Sequence, residues 1–325
     1  MRFAPTAEQS DLRAVVRDLV RELCPPAVVR AAPDSAEVAT LRAGLIELGA
    51  PGLLVPEAAG GLGLDENYLV GMMIETGWAA VPLPVVDTFA FAPGVLAVAD
   101  LTGDRFCGAD PDARGTVHYG HNVDLVLTGG FAGTGTIQVT AASGGASVAA
   151  VDPAADLLRV TAGPVLATVD DPEVVATAWL RGVLGAAAQL IGLCRRMLDL
   201  TVAYVAARKQ FGVPIGSFQA VKHHLATALL ALEFAEPAVA RAGYALAAGE
   251  PDRARAVSTA KALASDAAAT VARAAIQCHG AIAYTTEYDL HLYAKRAWAL
   301  AAEWGSAGWH RAAVARELLS TERES

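Results

Sequence analysis

Lysine is scarce in this chain: 4 of its 25 basic residues are Lys, and the others are Arg. Basic charge is also outweighed as a whole, with a formal net charge of -9 and a pI near 5.3. Such a balance excludes a broad nucleic-acid surface and a polybasic membrane patch, so any anion has to be held by a local group. Cysteines number four, Cys24, Cys107, Cys194 and Cys278, with no C-x-x-C pair and no metal-ligand spacing. That excludes a disulfide framework and a zinc site, and the four read as small buried apolar residues of a reducing, cytoplasmic compartment. Aromatic residues make up 6% of a chain that is 54% hydrophobic, so Ala carries much of the apolar total. Ala favours helices and lets them approach closely. The first residues, Met1 to Gln9, lack the apolar core of a signal peptide. Long hydrophobic runs are nearly absent too. Val174 to Cys194 carries one charge, Arg181, and would suit a bilayer by length, but the helical pattern continues through Arg195 and Arg196, as in a buried bundle helix.

The texture of the chain predicts three domains: an N-terminal helical domain over 1–100, a reduced β-domain over 101–172 and a C-terminal helical bundle over 173–325. Thr6-x-x-Gln9 has the form of a capping box, and Leu12, Val15, Val16, Leu19, Val20 and Leu23 follow at helical spacing until Pro25-Pro26. Helices are expected over 35–49, 67–78 and 87–99. Short β-branched runs at 116–119, 123–128, 136–140, 147–151 and 157–161, separated by Gly or Asp-Pro signals, predict strands. Gly129 to Gly135 lies between two such runs with no helix after it, so it reads as a hairpin and not a dinucleotide loop. From Asp170 the pattern is helical, with helices expected over 174–209, 217–248 (Val221, Leu225, Leu229 and Leu232 on one stripe), 251–278 and 307–319. Pro237 implies a kink, and Pro251 suits a first helical position.

Two stretches carry the candidate chemistry. Tyr204-Val-Ala-Ala-Arg-Lys-Gln-Phe-Gly-Val-Pro-Ile-Gly-Ser-Phe-Gln219 ends a helix on a basic and aromatic cluster, turns at Gly212, Pro214 and Gly216, and restarts. Arg208 and Gln210 therefore sit at a helix end, where an anion can be held, although a solvated helix end would have the same composition. The second stretch is Gln277-Cys-His-Gly-Ala-Ile-Ala-Tyr284, followed by Thr-Thr-Glu-Tyr-Asp-Leu-His-Leu-Tyr293. His223 and His224 are adjacent on a helix, point to different faces and make a poor metal pair. His279 is expected to pack, and Trp179, Trp298, Trp304 and Trp309 to anchor helices.

In this order and spacing, the two stretches resemble the C-terminal domain of acyl-CoA dehydrogenases, and Val55-Pro-Glu-Ala-Ala-Gly-Gly-Leu-Gly63 is similar to an N-terminal loop of that family. The resemblance implies the family's mainly helical fold, with a small β middle domain and a C-terminal four-helix bundle. It also implies an FAD whose pyrophosphate and adenosine end is held across a subunit interface by Arg208, Gln210, Phe211, Gln277 and Gly280. A guanidinium fork suits a pyrophosphate, and an amide beside a Gly that permits close approach suits the rest of the nucleotide.

The chain also departs from the family. A segment resembling T-E-P-x-x-G-S-D, which lines the flavin ring and acyl chain, has no match between Leu101 and Gly115. The family's catalytic Glu, which abstracts the α-proton of the acyl thioester, occupies one of two positions. One aligns with Trp304 in Ala302-Glu-Trp-Gly-Ser306, leaving Glu303 one residue early; the other aligns near Arg181-Gly182, with no carboxylate. A shift of one residue turns a helical side chain by about 100°. Glu303 is thus a weak candidate base, and Glu287 matches a structural position. What the resemblance implies is the shorter, base-lacking chain of a bacterial α2β2 acyl-CoA dehydrogenase, with sterol-derived acyl-CoA as one candidate substrate class and a second dehydrogenase chain supplying the Glu. A homo-oligomer using Glu303, a flavin-free structural subunit and a reduced-flavin monooxygenase of the same fold are the alternatives.

Overall fold

The computed structural model of the chain describes residues 4–160 and 163–321. Helix α1 (Ala7–Leu23) opens as its capping box requires: Thr6 Oγ1 accepts from the Gln9 amide at 3.2 Å, and Gln9 Oε1 accepts from the Thr6 amide at 2.9 Å. A single turn, α2 (Pro26–Val29), begins on the second of the paired prolines, and α3 (Ala36–Glu47) is capped by Ser35, with Leu41 and Leu45 fully buried. Helix α4 (Glu66–Ala79) follows the Gly-rich loop. A π turn over Asp87–Phe91 then leads into α5 (Ala92–Val98).

The middle of the chain forms two small sheets. Strands β1 (Cys107–Asp110), β3 (Leu125–Gly129), β4 (Ile137–Ala141) and β7 (Val165–Val169) lie in the order β1-β3-β4-β7; β2 (Thr116–Val117), β5 (Gly145–Ser147) and β6 (Leu158–Val160) lie in the order β2-β6-β5. Strands β3 and β4 are antiparallel, with Gly129 opposite Ile137, so the Gly-rich stretch between them is the expected hairpin. β1 and β7 lie outside the runs picked from the sequence. The run expected over 147–151 pairs earlier, at 145–147, and most of 148–151 leaves the sheet to line a cavity. Residue 161 lies outside the described residues.

Helix α6 (Pro172–Ala207) is the spine of the molecule, and its apolar run packs against α4, α7, α8 and α9. By length and composition it could cross a membrane, but 78% of its most apolar window is buried within the protein. The single charge of the run 174–194, Arg181, is paired there: its Nε lies 2.7 Å from Oε1 of the buried Glu66. After a small β8 (Lys209–Gln210) and β9 (Val213–Pro214) ribbon come α7 (Gln219–Ala247), α8 (Arg253–His279), α9 (Leu290–Ala302) and α10 (Ala307–Thr321). Helix α7 runs through Pro237 without a break. Pro251 lies in the turn before α8 and not at its first position, because Asp252 is the N-cap. Leu229 does not share the buried stripe of Leu232; it is 49% exposed. All four cysteines are free and buried, and burial pushes the Cys24 thiol up to about 12.

Candidate nucleotide edge and catalytic cleft

The two motifs meet because the end of α6 lies beside the end of α8. Tyr204 stacks on His279 with ring centroids 4.4 Å apart, and Tyr288 packs edge-on against Tyr204 and tilted against His279. His279 is held from below, its Nδ1 donating to the Ala275 carbonyl at 2.8 Å, and burial lowers its pKa, so the ring is neutral at pH 7. One turn beyond Tyr204, Arg208 caps α6 and is exposed, with no ion-pair partner among the described residues. Gln210 is exposed on β8, and Phe211 is 92% exposed on a left-handed backbone with φ 53°. Immediately after His279, Gly280 takes φ 67° and ψ -141°, a region that side chains disfavour, and no heavy atom lies within 4 Å of where its Cβ would be. Gln277 and Gly280 are both exposed. The five residues expected to hold the nucleotide thus stand on one open edge as a donor set suited to a phosphate, with a bare backbone for close approach. They fit the tail of an FAD; for the ring, this chain offers no matching segment between α5 and β2.

The β-domain, the end of α9 and the π turn line an open cavity of about 640 Å³. Trp298, Trp304, Trp309 and Phe131 line it with Asp87, Asp110, His118 and Glu303. Trp298, expected to anchor a helix, is instead 45% exposed here. Glu303 caps the C-terminal end of α9, and its Oε1 lies 3.3 Å from Nε2 of His118 on the β-domain. Asp87 as a residue keeps some surface on the cavity, but its carboxyl lies deep. Burial raises its pKa well above the carboxylate range, partly opposed by the Ala109 amide donating at 3.0 Å and reinforced by the charge of Glu303. From α8, the fully buried Lys261 donates to Ser265 Oγ (3.3 Å) and to the carbonyls of Ala301 (3.2 Å) and Gly305 (3.1 Å). Burial brings its pKa down to about 7 against the pull of Glu303.

Those bonds fix the turn that carries Trp304. Its φ is 55°, its carbonyl accepts from His310 Nε2 at 2.8 Å, and its ring packs between Phe91 (centroids 5.2 Å) and Trp179 (5.7 Å). Against its six-membered ring lies Gly182: a Cβ there would sit 2.3 Å from Cζ3 of Trp304. Glu303, the residue one step early, points at His118 and not into the space between Trp304 and Gly182. Lys261, Asp87 and His118 escaped notice in the sequence. The only available signal was Lys261 itself, one of four lysines and set in an Ala stripe with Ala260, Ala264, Ala267 and Ala268 that is otherwise core-facing.

Comparison with known proteins matches two family models: Acyl-CoA dehydrogenase, N-terminal domain, over residues 6–99, and Acyl-CoA dehydrogenase, C-terminal domain, over residues 174–319. The chain is 36% identical to acyl-CoA dehydrogenase IpdE2 of Mycobacterium tuberculosis over 309 residues, which take in 91% of this chain and 92% of that protein. Among solved structures it is similar to a chain of the ChsE4-ChsE5 complex from Mycobacterium tuberculosis, with a TM-score of 0.83 at 23% identity, covering 98% of this chain and 99% of that one. A chain of a Tcur3481-Tcur3483 steroid ACAD variant gives a TM-score of 0.82 at 21% identity, covering 98% and 99%. At these identities the structural likeness is one of fold. With both terminal domains matched and a relative aligned along nearly its whole length, the chain belongs to the acyl-CoA dehydrogenase family, FAD-dependent oxidoreductases acting on CH–CH bonds.

Proposed function

We propose that this chain is the base-lacking subunit of a cytoplasmic, two-chain α2β2 acyl-CoA dehydrogenase that desaturates an acyl-CoA thioester, with a partner chain supplying the catalytic Glu. The observation that carries this reading is the contact between Trp304 and Gly182, since both positions at which the family places its base are filled without a carboxylate. The exposed edge of Arg208, Gln210, Phe211, Gln277 and Gly280 supports a shared cofactor: Arg208 would meet the pyrophosphate, and Gln277 and the Gly280 backbone the adenosine end. When bound, FAD supplies the hydride acceptor. This chain's own part is to bind and orient its nucleotide end. The names of the two-chain ChsE4-ChsE5 complex and of the Tcur3481-Tcur3483 steroid ACAD favour a heteromer and a sterol-derived acyl group.

The test is expression of this chain alone and together with candidate dehydrogenase chains, reading flavin absorbance and native mass. Yellow protein only on co-expression, at equal subunit ratio, is the expected result. A yellow homo-oligomer that is reduced by acyl-CoA overturns the reading. One observation favours that second reading, a homo-oligomer with its own base: Glu303 does line the cavity. In the two-chain enzyme Glu303→Gln is expected to change turnover less than about twofold; in a self-sufficient enzyme, losing the base would cost about 10²–10⁴-fold.

A further inference from the structure

We propose that the outward face of α7 docks a second copy of this chain, the two α7 helices pairing antiparallel so that Lys222 of each copy meets Glu233 of the other. In its first half α7 buries one stripe, Ala228, Leu232 and Ala235, and leaves most of its circumference open. On the open side Leu230 is 56% and Phe234 69% exposed. Beside them Leu229 and the exposed Val202 of α6 border a groove of about 500 Å³, completed by Leu198, Leu225 and Ala226. The groove has one charged residue, Asp199, whose carboxylate is already taken by the Trp78 indole N–H at 3.0 Å. Single exposed apolar side chains are ordinary, but a contiguous set of this kind marks a contact surface.

The face is complementary to itself. Lys222, Ala226, Leu229 and Glu233 follow one another at steps of 4, 3 and 4, which keeps their side chains on one stripe of the helix. These steps read the same in both directions. A second α7 laid antiparallel about a two-fold axis at the middle of the stripe therefore sets Lys222 against Glu233 at both ends, and Leu229 against Ala226 twice between them. Each cation meets an anion, and each large side chain meets a small one at the mouth of the groove. The same axis exchanges the flanking Leu225 and Leu230. A parallel pair would instead put Lys222 on Lys222 and Glu233 on Glu233, which repel. Neither charge is used within the chain: Lys222 and Glu233 have no ion-pair partner among the described residues, although Glu233 borders a cleft with Arg13, Arg17 and Arg21. This pairing goes beyond the proposed function, since it needs neither flavin nor a catalytic Glu, only two copies of this chain.

The experiment is sedimentation equilibrium over a dilution series on the co-expressed protein, counting copies of this chain per assembly. It compares wild type, Lys222→Glu, Glu233→Lys and the double swap Lys222→Glu with Glu233→Lys. Both side chains are exposed, so thermal unfolding at high dilution should not change. Each single change brings like charges together at both ends of the stripe, and contact between the two copies is expected to weaken about tenfold or more. The double swap restores opposite charges and is expected to return to within about threefold of wild type. If one single change fails to fold, the other makes the same comparison. Three results overturn the proposal: a wild-type assembly with one copy of this chain, single changes that leave its dissociation unaltered, or a double swap as weak as the singles. The last would give the face to the dehydrogenase chain. Composition of the assembly separates this outcome from the parent reading. A heteromer insensitive to the swap keeps the partner and removes the docking face, whereas a homo-oligomer broken by each single change and rescued by the double keeps the face and removes the partner.

Discussion

Tyr204 and His279 lie face to face, with centroids 4.4 Å apart and planes 25° apart, and this stack turns two distant stretches of sequence into one edge. The rings come from the last turn of α6 and the last residue of α8, so Arg208 on one side and Gly280 on the other inherit their positions from it. His279→Ala removes the stack and the bond to Ala275. A loss of about 1–3 kcal/mol of stability is expected, together with weakened flavin binding, because both walls of the edge move. Thermal unfolding of the flavin-free protein and flavin retention on gel filtration check the two effects.

Arg208→Ala is expected to separate them. Arg208 is exposed and unpaired among the described residues, so the flavin-free protein should unfold at the wild-type temperature. A charge-assisted bond to a phosphate contributes roughly 1.5–3 kcal/mol, so FAD should bind about 10–100-fold more weakly to the complex. Equal affinities for wild type and variant would remove Arg208 from the nucleotide site.

The turn that carries Trp304 makes stability depend on pH. An unfolded Lys keeps its proton up to about pH 10.4, whereas folded Lys261 releases it above about 7. Between those values the unfolded chain binds more protons, so stability rises with pH. From pH 7 to 9 wild type should gain roughly 2–3 kcal/mol over Lys261→Met, at about 1.4 kcal/mol per pH unit. His310 adds a second window with the same sign: burial lowers its pKa from 6.5 to about 4, so stability should also rise as pH climbs between those values. Chemical denaturation at fixed pH points, comparing slopes and not absolute values, is the check. A flat difference between wild type and Lys261→Met would show that folded Lys261 keeps its proton over this range.

Local signals in the sequence identify most of the helices. The capping box at Thr6, the Pro-Pro stop after α1 and the apolar period of α6 each act within a few residues, and each is found where local chemistry puts it. The limits come from residues whose role is set by distant neighbours. β1 reads Cys-Gly-Ala-Asp and has almost no strand propensity; it is a strand because it pairs parallel to β3 and Thr88 bonds to both the amide and the carbonyl of Cys107. Leu229 has the right spacing for a core stripe, yet the face it shares with Val202 is uncovered. In the cleft, the absence of a Glu at position 304 is visible in the sequence. That the replacing indole fills the space over Gly182 is not, since 122 positions separate the two residues.

The β-domain is tied to the helical body by one buried ion pair. Asp152, before β6, meets Nε of Arg296 on α9, and Arg296 Nη1 also donates to the carbonyls of Ala80 (3.2 Å) and Val81 (3.0 Å) at the end of α4. Both charged side chains are nearly sealed from water, at 5% and 3% exposure. Removing one partner leaves an uncompensated buried charge, and Asp152→Asn or Arg296→Ala is expected to cost about 3–5 kcal/mol. The replacement of both by apolar residues should cost less than the two single changes added together. A double-mutant cycle on urea midpoints measures that coupling, and strict additivity would mean that the pair is not formed.

Helices α4 and α6 cross at backbone contact, and glycine is what permits it. A Cβ on Gly192 would fall 2.0 Å from the Ile74 carbonyl oxygen, and one on Gly77 would fall 2.3 Å from that of Gln189. Both obstacles are main chain, so neither can rotate aside. This crossing seats the N-terminal helices on the middle of α6, whose C-terminal end presents Arg208 and whose N-terminal half presents Gly182 to Trp304. Gly192→Ala would have to push α4 off α6, and a destabilisation of about 1–3 kcal/mol is expected from overpacking of this kind. Ala at an exposed helical Gly would stabilise by up to about 1 kcal/mol through its propensity, so the sign of the change reads the contact directly. A Gly192→Ala protein that melts above wild type would show that the two helices do not meet at this point.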